Sequence, residues 1–271
     1  MVNGYKPTTL KEAIAIRAGE NVIPYAGGTD LMVKNIPGAV YLFLNDIDEL
    51  RQIIEDDEYI RIGAAVTFTE ALASNLVPPL MKEAVSRIAA PAIRNAGTFG
   101  GNLGNGSDKA DSVLAGFAMD ARVRLVSANG ERVIPFDEFC VKRGVTNLRD
   151  DELIAEILLP KEKCALPYYY KKVGGRNALA ISRVALAGVY DIQNGVINGI
   201  SLTVIGEGKF TRYRDIEEKL IGKAAEDIRA NADAYAGMFI EKMTFTRGRV
   251  SAEYRKTVIG NLIRDYFATL K

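Results

Sequence analysis

Two clusters of small residues hold most of the chemistry this chain can do. The first is Pro24-Tyr25-Ala26-Gly27-Gly28-Thr29-Asp30-Leu31. A strand-like run from Val22 to Tyr25 breaks there into consecutive glycines. Such a backbone exposes successive N–H groups with no Cβ in front of them, a nest that suits a phosphate, and Thr29 adds a hydroxyl donor. Asp30 is suited to capping local N–H groups or accepting a sugar hydroxyl rather than facing a phosphate. A plain tight turn between strand and helix fits the same residues. The second cluster runs from Gly97 to Ser107 and packs five glycines, two asparagines, a threonine and a serine into eleven residues. It is too polar for a core strand and too long for a hairpin turn. Phe99 and Leu103 argue against disorder, so a long functional loop is expected, with a glycine-rich surface loop as the alternative. Asp111 follows where it could hold a ligand hydroxyl. Two such loops point to an extended ligand with a pyrophosphate, such as a dinucleotide. Neither G-x-G-x-x-G nor G-x-x-x-x-G-K-[ST] occurs.

The remaining inventory excludes whole classes. The chain has no histidine. That removes Ser-His-Asp and Cys-His nucleophilic sites, a histidine base and every histidine metal site. Cys140 and Cys164 are the only cysteines. A disulfide between them stays open, but the count is unlike a secreted scaffold, and two thiolates are too few for an iron–sulfur cluster. Lys plus Arg is 35 against 34 Asp plus Glu, so no basic excess points to nucleic acid or an anionic membrane. No apolar run approaches the roughly 18 residues of a membrane span, and the N-terminus lacks the basic and apolar regions of a signal peptide. A cytoplasmic protein without a membrane span or nucleic-acid partner is expected.

The elements that must position these loops read as α+β. At 271 residues the chain suggests two domains or one large one. Thr9 with Glu12, and Thr67 with Glu70, have capping-box spacing ahead of helices. Ala39 to Leu44 reads as a buried strand and Tyr59 to Ile62 as an alternating one. Ser112 to Met119 looks like a buried helix. Arg122 to Phe136 reads as a hairpin turning on Asn129-Gly130 in a type I′ turn, and Asn194-Gly195 joins two later strands, Arg183 to Ile192 and Val196 to Ile205. Ile216 to Ala230 reads as one helix. Tyr254, Val258, Leu262, Ile263, Tyr266 and Phe267 form the stripe of the last helix. The texture changes between Pro160 and Pro167, which marks a domain boundary. No regular βαβ alternation of a doubly wound sheet is present.

The two loops carry a resemblance. Ala26 to Leu31 resembles an A-G-G-T-D-L loop, and Ile93 to Leu103 resembles I-R-N-x-x-T-I-G-G-N-L. Both belong to the FAD-binding (medium) subunits of molybdenum hydroxylases, the xanthine dehydrogenase and carbon monoxide dehydrogenase family. Ile62 to Thr67, Glu152 to Pro160, Lys172 to Arg176 with Ala180 to Ser182, and Ser251 to Arg255 resemble further segments of that family in the same order. The resemblance covers nearly the whole chain.

The resemblance implies a PCMH-type FAD-binding domain over residues 1–163, with subdomains of about 1–58 and 59–163. A smaller domain of antiparallel sheet plus helices would follow over 164–271. It implies that Ala26, Gly27, Gly28, Thr29, Asp30 and Leu31 wrap the FAD pyrophosphate. Thr98, Gly100, Gly101 and Asn102 would make the second phosphate and ribityl contact. Asp111 would hold a polar group of the cofactor, Ile154 would cover it, and Lys172 would approach the ring, where a cation raises the flavin's potential. FAD would be bound non-covalently. The chain would act as an electron-transfer oxidoreductase subunit, with molybdenum cofactor and [2Fe–2S] clusters only on partner subunits and NAD or another acceptor downstream. The family's A-S-P-x-x-D run is here Gly106-Ser107-Asp108-Lys109-Ala110-Asp111, with an acid in place of proline. A stand-alone flavin oxidoreductase of the same superfamily, or a non-catalytic nucleotide-binding assembly module, is the rival reading.

Overall fold

A computed structural model describes residues 3–34, 36–176, 179–245 and 248–271. A first sheet is parallel: β1 (Asn3–Tyr5) and β2 (Ile23–Tyr25) flank β3 (Val40–Phe43). The Leu10–Gly19 helix crosses between β1 and β2. Thr9 caps it by accepting from the Glu12 N–H, but the Glu12 carboxylate accepts from Thr8 N, so the box is displaced by one residue. At Thr67 the reciprocal box is complete.

A second sheet is antiparallel, in the order β4 (Ile53–Glu55), β5 (Tyr59–Gly63), β10 (Leu153–Pro160), β6 (Arg122–Ser127), β7 (Gly130–Pro135). Because β4 pairs with β5, the break between the first two sheets falls before residue 53 rather than near 58. Strand β10 is central and buried on both faces. Leu153 and Ala155 face the core under the first sheet, while Ile154, Ile157 and Leu159 face the helices of the second. A ribbon of β8 (Cys140–Lys142) and β9 (Val145–Thr146) extends past β7.

The third sheet is also antiparallel: β11 (Tyr168–Val173), β12 (Val184–Gln193) and β13 (Val196–Ile200), with β14 (Thr203–Ile205) on β12. Alternation along β12 divides its side chains. Ala185, Ala187 and Val189 pack on the helices of the second sheet, while Val184, Leu186 and Tyr190 pack on the C-terminal helices. The sheet is therefore sandwiched, and the Ala252–Ala268 helix closes the far side.

Three local readings shift. The Asn129-Gly130 turn is not type I′: Ser127 pairs with Gly130, Asn129 keeps negative φ, and only Gly130 is positive, at +125°. Asn194 and Gly195 do take the paired positive values, 53° and 77°. Val196–Ile205 divides into β13 and β14 at Ser201, whose hydroxyl donates to the Ala118 carbonyl at 2.6 Å. The 216–230 helix divides into Arg214–Leu220 and Ala225–Ala230. Gly222, at φ +81°, donates instead to the Ile197 carbonyl.

Candidate functional site

The first loop leaves β2 at Tyr25 and ends in a one-turn helix, Leu31–Lys34. Its path is set by its neighbours. A Cβ on Gly27 would overlap the Ala96 carbonyl, so this glycine lets the first loop press against the second. Gly28 sits at φ +66°, and a Cβ there would overlap the Tyr25 ring. Among the described residues, the N–H groups of Gly27, Gly28, Thr29 and Asp30 donate to no protein acceptor. Four adjacent N–H groups are thus left over along this stretch, the number of donors a phosphate-binding nest would need.

The second cluster is not a long irregular loop. Thr98 caps a short helix, Phe99–Gly104, its hydroxyl accepting from Gly101 N at 3.1 Å. The segment is clamped to Ala64–Phe68: Phe68 N donates to the Gly97 carbonyl (3.0 Å), Phe99 N to Val66 (3.1 Å) and Gly100 N to Ala64 (2.8 Å). A sequence so rich in glycine folds as helix because its glycines allow this close approach, which overrides their weak helix propensity. A Cβ on Gly100 would sit 2.6 Å from that of Ala64.

Together the two segments wall a cleft of about 270 Å³. Ala26, Gly27, Gly28, Thr29, Asp30, Leu31, Thr98, Gly100, Gly101, Asn102 and Ile154 all line it. Leu44, Ala64, Ala65, Phe68 and Leu148 add apolar surface and are not among the expected site residues. Asn105, also missed, bridges the loops: its Nδ2 donates to Asp30 Oδ2 and its Oδ1 accepts from Lys34 Nζ, both at 3.1 Å. Asn102 is steered by Ser112, whose hydroxyl donates to its Oδ1 at 2.7 Å.

Asp111 and Lys172 line a second, adjoining cavity of about 660 Å³, and Asp30, Asn102 and Asn105 border both. Lys172 is not an exposed strand lysine. Its side chain is 9% exposed and its Nζ donates to Asp111 Oδ2 at 2.7 Å and to the Arg87 carbonyl at 2.9 Å. Asp111 Oδ1 accepts from Ser182 (2.7 Å) and Tyr170 (3.2 Å). Burial pushes the Asp111 carboxyl above its usual range, and the Lys172 charge and these hydrogen bonds pull against it. Burial, then the Asp111 charge, pushes the Tyr170 phenol far up. An ionised carboxylate offers about four acceptor sites and an ammonium three donors. Three and two are used, so the pair keeps an acceptor and a donor for a ligand edge. Asp108, the acid in place of the family's proline, is buried and pairs with Arg143 of the ribbon at 3.5 Å.

Among the described residues no cluster of His, Cys, Asp and Glu could hold a metal, and no helix is long and apolar enough to cross a membrane. Cys140 and Cys164 are free thiols, and neither lines the two cavities.

Comparison with known proteins agrees along the chain. Residues 1–162 match the family model described as FAD binding domain in molybdopterin dehydrogenase, and residues 168–270 match CO dehydrogenase flavoprotein C-terminal domain. The chain is 30% identical over 210 residues to the xanthine dehydrogenase FAD-binding subunit of Escherichia coli O157:H7, covering 73% of this chain and 71% of that one. It is 27% identical over 272 residues to the carbon monoxide dehydrogenase medium chain of Hydrogenophaga pseudoflava, covering 96% and 93%. Among solved structures, carbon monoxide dehydrogenase from Hydrogenophaga pseudoflava superposes with a TM-score of 0.89 at 25% identity, covering 99% of this chain and 96% of that chain. Quinoline 2-oxidoreductase from Pseudomonas putida 86 does so with a TM-score of 0.90 at 19% identity, covering 100% and 96%; at that identity the likeness is one of fold.

Proposed function

Because the chain belongs to the FAD-binding medium subunits of the xanthine dehydrogenase and carbon monoxide dehydrogenase family, we propose that it is the electron-transfer subunit of a molybdenum hydroxylase complex. Partner subunits would carry the molybdenum cofactor and [2Fe–2S] clusters, and NAD or another acceptor would take the electrons. FAD, when bound, supplies chemistry that accepts electrons singly and releases them as a pair.

One observation supports the site reading most: two loops far apart in sequence converge on one cleft with a row of free backbone donors. In this reading Ala26, Gly27, Gly28, Thr29, Asp30 and Leu31 hold the pyrophosphate through main-chain N–H groups. Thr98, Gly100, Gly101 and Asn102 form the facing wall, and Ile154 covers the cofactor. Asp111 and Lys172 offer their spare acceptor and donor to a polar edge of the ring system. No side chain need act as a general base, so the lack of histidine costs nothing. The flavin is held without a covalent link, since the chain has no His and neither Cys reaches the cavities. The two free thiols support a reducing, cytoplasmic setting.

The deciding experiment is a pull-down of the tagged chain from its source cells, with metal analysis and a visible spectrum. We expect flavin absorption together with molybdenum- and iron-bearing chains. A yellow chain recovered alone that turns over a substrate by itself would favour the stand-alone flavin oxidoreductase. A colourless chain that takes up no added FAD would favour the assembly module.

A further inference from the structure

The wall of the larger cavity holds a buried polar cluster that cofactor binding alone does not account for. Ser182 is 1% exposed and Tyr170 8%, and both spend their hydroxyls on Oδ1 of Asp111. Lys172 takes Oδ2. Tyr170 and Lys172 lie two apart on β11 and so share a face of the strand. Asp111 opens the buried Asp111–Ala118 helix, and Ser182 leads into β12. The cluster thus joins the helix layer of the second sheet to the edge of the third.

We propose that Ser182 and Tyr170 are positioning residues for Lys172, acting through Asp111. A carboxylate has two equivalent oxygens, and a lysine stem has many rotamers. Left to themselves, the pair could exchange oxygens or let the ammonium swing into the open cavity. Two fixed donors on Oδ1 remove that equivalence and leave Oδ2 as the acceptor for Nζ. They also supply the hydrogen bonds a buried carboxylate needs to stay charged beside its cation. The Arg87 carbonyl then fixes the second direction of the ammonium. The importance of this placement to the cofactor rests on the reading that Lys172 faces the flavin; the positioning itself does not.

The test measures acetylation of Lys172 in the full chain without FAD, by mass spectrometry, with the other lysines as internal reference. Ser182→Ala and Tyr170→Phe should each raise the Lys172 rate about fivefold, the weight of one net hydrogen bond. In an Asp111→Asn background, Ser182→Ala should add nothing further. Wild-type labelling in both single variants would overturn the proposal. So would an effect of Ser182→Ala that persists without the Asp111 carboxylate. The midpoint potential of the FAD-loaded chain reports the cofactor half: Lys172→Met and Ser182→Ala should both shift it. Altered labelling with a wild-type potential in both variants would remove Lys172 from the flavin's surroundings and leave the positioning intact.

Discussion

At the scale of single residues, the glycines of the two loops do different work. Gly27 and Gly28 shape the first loop against Ala96 and Tyr25, whereas Gly101 meets no backbone across the cleft and is crowded only by one side chain. A Cβ on Gly101 would meet Thr98 Oγ1 at 3.0 Å and little else. Gly101→Val should therefore keep the fold but lose flavin; retained flavin at wild-type stoichiometry, read from the visible spectrum, would contradict the cleft assignment. Gly28→Val should instead destabilise the protein by about 1–3 kcal/mol in denaturant unfolding, because it forces a β-branched residue to positive φ onto a ring. The thiols give a second expectation. Burial pushes Cys140 up to about 12 and Cys164 to about 11. At pH 7.5 the native protein should resist iodoacetamide over a time in which the unfolded chain reacts fully. Prompt labelling of either thiol in the folded protein would show that its burial is wrong. Acid precipitation should leave the yellow colour in the supernatant.

At the scale of elements, charged side chains pin strand ends. Glu152 begins the Glu152–Pro160 segment that sequence alone singled out. Its oxygens accept from Arg132 Nε (2.6 Å) and Nη2 (2.9 Å) and from the Arg149 N–H (2.9 Å). Burial works to raise the Glu152 carboxyl, but Arg132 and the Arg149 N–H outweigh it and hold it below its usual range. A depressed carboxyl stabilises the fold above its unfolded value, near 4.5, and loses that contribution as pH falls through the folded value. The melting temperature should drop on acidification below about pH 4.5, and Glu152→Gln should flatten that part of the profile while lowering stability at pH 7. A Glu152→Gln profile parallel to wild type would remove this pair as a cause. The Thr67 capping box invites a similar check: Thr67→Ala should cost about 1 kcal/mol in urea unfolding.

At the scale of the molecule, the third sheet is bound to the second-sheet layer by more than apolar contact. Arg212 is 5% exposed at its side chain. It donates to Glu217 through Nε (2.9 Å) and Nη2 (2.7 Å), and through Nη1 to the Asp120 carboxylate (2.6 Å) and the Phe117 carbonyl (2.9 Å). Glu217 also accepts from Leu202 N, so one guanidinium ties the Asp111–Ala118 layer to the third sheet. Removing one member of a buried charge network strands the others, at about 3–5 kcal/mol. Arg212→Leu should lower stability by that amount and separate the unfolding of the two halves in calorimetry. An unchanged single transition would show that the apolar faces of β12 alone join them.

The local elements and the family were legible in the order of residues alone. The capping box at Thr67, the buried Ser112–Met119 run, the Asn194-Gly195 turn and the last helix all follow from patterns spanning a few residues, where local physics decides. The order of motifs likewise singled out eleven of the residues that line the first cleft. Features that depend on contact between distant segments were not legible there. The second glycine cluster is a helix because Ala64–Phe68 clamps it. The 216–230 helix breaks because Gly222 bonds to β13. Lys172 is held because Asp111 arrives from another element to meet it, itself bonded by Ser182 and Tyr170. No spacing in the chain encodes those approaches, since each depends on where two distant backbones come to lie after the sheets have packed.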